Sequence, residues 1–273
     1  MPWRMLVATW LVVGAVFTAC GPAGAATPQG EAWQQKMDAA LQLYREAKYA
    51  EAADGWQEAG RVAERHFGPE DPRLATSIQN AGLAYIALGQ FARAEPLYMR
   101  ALAIREKALG PDHPRVARVL SNLADVARAE GRTAEVEPLF RRALAIQEEG
   151  LGPEHPRVAG TLTRMAIFYA AQGRAADAEP LLKRALAIRE KAQGPDHPDV
   201  VEILENHAKL LRKASRDPEA AMLEARARTI QDKLPPSSRL RSSRPGTDRR
   251  CLARCLAPKI GEPIDFLGVG FKL

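Results

Sequence analysis

The sequence predicts an all-α fold, a linear stack of about five helix pairs, on three observations. The chain lines up with itself in steps of 42 residues without a gap, and a fixed period of that size marks an array of supersecondary units rather than one globular core. Within a copy the apolar residues keep helical spacing: Leu74, Ile78, Ala81, Gly82, Tyr85 and Leu88, then Ala94, Leu97, Tyr98, Ala101, Leu102 and Ala108. Glycine and proline punctuate each copy at the same places. Aromatics are only 6% and alanine is plentiful, which suits close helix packing better than sheets. At 273 residues the chain exceeds one ordinary core, but repeat arrays grow linearly and stay one unit.

The first element along the chain is an expected export signal, residues 1–25. Arg4 makes the start positive, and Met5 to Phe17 is an almost unbroken apolar run of 13 residues. That is short of the roughly 20 a membrane helix needs and right for a signal-peptide core. Two routes of processing stay open. Ala23-Gly24-Ala25 is a small-x-small cleavage pattern. Phe17-Thr18-Ala19-Cys20 resembles a bacterial lipobox, in which Cys20 would carry the lipid, with Phe17 standing where leucine is usual. The first route implies a soluble periplasmic or secreted protein, the second a membrane-anchored lipoprotein facing the periplasm. A short linker, 26–30, follows.

The repeat comes next, expected over 31–234. Gly68-Pro69-Glu70-Asp71-Pro72-Arg73 returns as Gly110-Pro111-Asp112-His113-Pro114-Arg115, as Gly152-Pro153-Glu154-His155-Pro156-Arg157 and as Gly194-Pro195-Asp196-His197-Pro198-Asp199. Arg100-Ala101-Leu102-Ala103-Ile104 returns at 142–146 and 184–188. A divergent first copy keeps the phase, with Leu43, Ala52, Trp56 and Ala59 standing 42 residues before Tyr85, Ala94, Tyr98 and Ala101. Gly89, Gly131 and Gly173 are placed to turn the chain between the two helices of a copy in the left-handed conformation. Gly110-Pro111 ends a second helix; Pro114 opens the next first helix, with Asp112 near enough to cap it. Pro96, Pro138 and Pro180 fall near helix starts and need not break them. Gly82, Ala124, Ala166 and Ala208 are expected to face Ala101, Ala143, Ala185 and Ala227 where helices cross closely. Ala127 and Val136 replace a larger and a smaller residue of the other copies, which points to a partly volume-conserving swap between contacting sites.

The last copy departs as a cap should, with Glu224 where Tyr98, Phe140 or Leu182 stands and Ser215 where a glycine stands. Pro235-Pro236 then stops the helix, and 235–273 lose all helical period, which reads as a disordered tail. That tail holds eight Lys/Arg against three Asp/Glu, so +5 of the chain's +6 lies outside the repeats. The repeat region is near neutral, and no nucleic-acid partner is implied.

Period, caps and small-residue positions together resemble the tetratricopeptide repeat, and the 42-residue step with Gly-Pro-Asp-His-Pro is similar to its longer kinesin-light-chain variety. The resemblance implies a right-handed superhelical solenoid of helix-turn-helix repeats, with first helices lining a concave groove that binds a protein or peptide. Mapped copy by copy, the expected groove residues are Thr76, Gln79, Asn80, Leu83 and Ile86; Arg118, Ser121, Asn122, Asp125 and Arg128; Thr163, Arg164 and Ile167; Glu202, Glu205, Asn206, Lys209 and Arg212. Asn80, Asn122 and Asn206 share one position; an amide there either grips an extended partner's backbone or ties neighbouring helices. With Lys213, the basic groups outnumber Asp125, Glu202 and Glu205, so an acidic, partly apolar peptide fits best.

The sequence argues against enzyme chemistry. His113, His155 and His197 are one position in three copies, about a repeat thickness apart, so they cannot share a metal and read as loop or cap residues. No phosphate loop, nucleophile elbow or zinc-helix motif occurs. Cys20, Cys251 and Cys255 all lie outside the repeats, and Cys251-Leu252-Ala253-Arg254-Cys255 matches no strong redox motif. No cofactor is expected. The leading function is a protein-binding scaffold; the alternative is an envelope-assembly component that self-associates or binds through its ends.

Overall fold

The computed structural model describes residues 27–233. The expected export signal with Cys20, and the tail with Cys251 and Cys255, lie outside the described residues. Ten helices follow one another: α1 (Pro28–Arg45), α2 (Tyr49–Phe67), α3 (Pro72–Ala87), α4 (Phe91–Leu109), α5 (Pro114–Ala129), α6 (Thr133–Leu151), α7 (Pro156–Ala171), α8 (Ala175–Gln193), α9 (Pro198–Lys213) and α10 (Asp217–Lys233). They pair as α1/α2 through α9/α10, and each pair packs on the next to form an all-α solenoid. The first helix starts at Pro28, so residues 28–30 form its first turn rather than a linker.

Punctuation residues explain where these helices begin and end. Every odd-numbered helix opens with proline at its first position, where a missing N–H costs nothing. The capping acceptor is the residue just before that proline, not Asp112 two residues before it. Asp71 Oδ1 accepts from the Arg73 amide at 2.8 Å, while His113 and His155 Nδ1 accept from Arg115 and Arg157 at 3.1 Å and His197 Nδ1 from Asp199 at 3.2 Å. The repeated histidines are therefore helix caps, a role an imidazole fills when Nδ1 carries the lone pair. Gly89, Gly131 and Gly173 take positive φ at the tight turn within a pair. The following amide reaches back five residues, as in Gln90 N–H to Tyr85 C=O at 2.8 Å, closing a Schellman motif. Gly68, Gly110, Gly152 and Gly194 end the second helices at φ near 90° and ψ above 150°, a region that only glycine enters freely. Pro96 is the sixth residue of α4, further inside than expected. Its helix continues, at the cost of the bond an N–H would make to Ala92.

The core is assembled from equivalent positions. Trp56, Tyr98, Phe140 and Leu182 occupy one site in successive pairs, all fully or almost fully buried. Small residues make room for them: a Cβ on Gly82 would lie 3.0–3.3 Å from the Tyr98 ring. The expected facing of small residues is therefore corrected. Ala124 packs in the cluster with Phe140, while Ala143 packs with Val116, Ala117 and Leu120, because an antiparallel pair places residues near the turn opposite one another. Ala127 and Val136 do share one cluster. Between pairs, Leu83 and Ile86 of α3 meet Val119, Leu123 and Val126 of α5, so each first helix has a backward and a forward seam face.

Candidate functional site

Arginines gather where α5 meets its neighbours: Arg118 and Arg164 stand on first-helix positions between the two seam faces, while Arg128, in register with Ile86, stands on the forward face of α5. Arg118 reaches back to α3, its Nη2 donating to Gln79 Oε1 at 3.5 Å. Arg128 Nη2 lies 3.2 Å from Asp125 Oδ1 and Arg164 Nη1, from α7, lies 3.3 Å from Asp125 Oδ2. Asp125 is itself buried, so two half-buried guanidiniums neutralise a carboxylate that would otherwise be costly. Two positive groups thus bracket one negative one across α5 and α7, with Arg118 a third guanidinium reaching from α5 to α3.

The three equivalent asparagines behave differently. Asn122 Oδ1 accepts from Arg164 Nη1 at 3.4 Å, tying α5 to α7. Asn206 Nδ2 donates to the Glu202 carbonyl of its own helix at 2.9 Å. Asn80 is 7% exposed and its Nδ2 has no partner. Ser121 Oγ, likewise buried, has none either. Thr76 is buried and occupied with the Pro72 carbonyl and Arg105, and Thr163 donates to the Ala159 carbonyl.

Other expected groove residues are placed elsewhere. Ile86 is fully buried and Leu83 nearly so, both in the α3–α5 seam, so neither offers an apolar foothold. Their equivalents in α9 are Lys209 and Arg212, exposed on the forward face at the end of the stack. Arg212 is bound there to Glu224 at 2.8 Å and to Asp217 at 3.0 Å. Ile167 stays half-buried beside Arg164 on α7.

Two sets of tying residues were not anticipated. Buried Arg105 on α4 donates to the Arg115 carbonyl and to Thr76 Oγ1, joining α3, α4 and α5. Gln147, accepting from Thr161, and Arg189, paired with Asp199 at 2.8 Å, likewise tie a pair to the next, while Gln231 donates to Glu205 within the last pair. Outside, Arg132, Arg174 and Arg216 at the turns bridge to Glu95, Glu137 and Glu179 of the preceding pair, each 37 residues back. The signal for both sets was the period itself, which keeps a polar residue at one place on otherwise apolar helix faces.

No helix among the described residues is long and apolar enough to cross a membrane, and none of them form a group of three or more metal-ligating side chains.

The tetratricopeptide repeat family matches residues 36–107, 78–149 and 151–233, and the chain belongs to that family. Among solved structures it is similar to a Podosopora anserina kinesin light chain candidate with nearly identical TPR-like repeats: 26% identity over 74% of this chain and 95% of that one, TM-score 0.61. BtubC (BKLC) from P. vanneervenii shares the fold at 22% identity, covering 81% of this chain and 85% of its own, TM-score 0.65. So does the Rap conjugation gene regulator of plasmid pLS20, in complex with the Phr* peptide, at 13% identity, with 87% and 67% covered and TM-score 0.65. No curated protein matches the sequence.

Proposed function

We propose that the chain is a protein-binding scaffold whose inner wall takes an extended, acidic and partly apolar segment of a partner. The carrying observation is the gathering of Arg118, Arg128 and Arg164 on α5 and α7, two of them sharing the carboxylate of Asp125 and the third reaching Gln79. An excess of fixed guanidinium donors in a part-buried strip favours carboxylates, with Ile167 beside them for apolar contact. A repeat regulator of similar fold holds a peptide, which supports the same use here. This reading assigns the protein binding and no catalytic step. A crosslinked pull-down with the full chain would supply the partner segment, whose association is then measured against Arg118→Ala. Arg118 is the substitution of choice because Arg128 and Arg164 also neutralise buried Asp125. The association rate should fall about three- to tenfold, with a shallower salt dependence. Binding indifferent to both salt and Arg118 would overturn the reading.

We also propose export and anchoring through a lipid on Cys20, supported by the position of that cysteine at the end of the apolar run. Cys20→Ser should move the protein from the membrane to the soluble fraction. Persistent membrane association without acyl labelling of the wild type would leave cleavage at Ala25 instead.

A further inference from the structure

We infer that the last helix pair is held to the stack by an acid-sensitive latch built around His207. The residue lies on the backward face of α9, between Ile203 and Leu210, which pack in one apolar cluster with Phe168 of α7 and Leu182 of α8. In α3, α5 and α7 the same position holds Ala81, Leu123 and Met165, all buried and none titratable. His207 is only 6% exposed, and neither ring nitrogen has a hydrogen-bond partner. A neutral imidazole leaves one donor and one acceptor unsatisfied there; a charged one leaves two donors and a charge.

What surrounds the ring decides the effect of a proton. Its Nε2 stands 4.0 Å from Glu179 Oε1 on α8. That carboxylate already receives Lys183 of α8 and Arg216 of the α9–α10 turn, each at 2.7 Å. Arg216–Glu179 is the strap joining the last pair to its predecessor, the counterpart of Arg132–Glu95 and Arg174–Glu137. Glu219 of α10 is the remaining charged group facing the ring, and it is already bound to Arg216. A protonated His207 becomes a third cation beside a carboxylate that serves two, and competes with Arg216 for it. Burial pushes the ring's affinity for protons below the ordinary histidine value, against a smaller pull from Glu179.

The sign follows directly. The folded ring resists a proton that the open chain accepts below about pH 6.5, so attachment of α9 and α10 is complete above that value and weakens as pH falls through it. The caps His113, His155 and His197 stand at equivalent places in three pairs, so they cannot single out the last one. Mild acid therefore releases residues 198–233 ahead of the rest, and with them the wall carrying Glu202 and Asn206.

The test is amide hydrogen exchange of the full chain at pH 7.5 and 5.5, corrected for intrinsic rates, for the wild type and for His207→Met, the residue α7 uses. The opening equilibrium of 198–233 should rise by up to about tenfold in the wild type and by clearly less in the variant, which keeps the His197 cap of α9. Equal acid response in both proteins, or opening spread evenly over all pairs, would overturn the latch. Should the variant fold poorly, NMR titration of His207 in the wild type decides instead. A ring titrating at or above the ordinary histidine value also sinks the inference.

Discussion

At the scale of single residues, two turns do without glycine. Ala47 and Ser215 sit at φ +61° and +58°, in the first and last pairs, where Gly89, Gly131 and Gly173 turn the other three. Their backbones make the same bonds: Lys48 N–H reaches Leu43 C=O at 2.9 Å and Arg216 N–H reaches Leu211 C=O at 2.9 Å. The motif is thus complete, and what remains is the clash of Cβ with the neighbouring carbonyl, a strain of roughly 1–2 kcal/mol. Glycine would remove it while adding some freedom to the unfolded chain, for a net gain of about 0.5–1 kcal/mol. Ala47→Gly and Ser215→Gly should each raise the denaturation midpoint. A fall in either would mean that the methyl or hydroxyl makes a contact worth more than the strain. The asparagines teach the opposite lesson: one position in three copies makes a tie to the next repeat, a bond within its own helix, or no bond at all. Identity of residue type does not carry identity of role when the neighbours differ.

At the scale of elements, the period, the helix pairs and their glycine and proline boundaries were legible in the sequence because each depends on local chemistry. A proline at the first helical position and a glycine beyond the last constrain the backbone whatever packs nearby. The histidines were legible as loop or cap residues, but which side chain accepts the capping bond was not, because aspartate one residue earlier looked the better acceptor. Which residues face which was harder still. Gly82 meets Tyr98 rather than Ala101 because the pair is antiparallel, so facing positions move apart in sequence as they move from the turn. That Leu83 and Ile86 are buried rather than open was illegible for a related reason. A first helix of a solenoid is covered by the pair before it and the pair after it, and periodic apolar residues do not say which cover they meet. Leu83 and Ile86 belong to the forward seam, where α5 carries Asp125 and Arg128 instead, whereas Arg118 and Arg164 fall between the seams.

At the scale of the molecule, those seam faces decide where the stack stops. The backward face of α5 carries Val119, Leu123 and Val126; α1 has Gln35, Ala39 and Gln42 in those places, all exposed. The forward face of α3 carries Leu83 and Ile86, and α9 has Lys209 and Arg212 there, also exposed. A further pair, or a second copy added end to end, would take Lys209 and Arg212 out of water with no apolar seam on α1 to receive them. The carboxylate in register there, Asp38 where α7 has Arg164, would offset only part of a cost of several kcal/mol. The repeat region should therefore sediment as a monomer at tens of micromolar. This bears on the alternative of assembly through the ends, which needs at least one adhesive face. Restoring seam residues at both ends, with Lys209→Leu, Arg212→Ile, Gln35→Val and Gln42→Val, should turn the molecule into a head-to-tail unit. Such a contact does not close on itself, so its oligomers lengthen with concentration. The two-substitution variants, altered at one end only, should remain far less associated. Wild-type chains that oligomerise, with crosslinks between α1 of one copy and α9 of another, would show that charge at these positions does not terminate the stack and would return end-to-end assembly to the leading place.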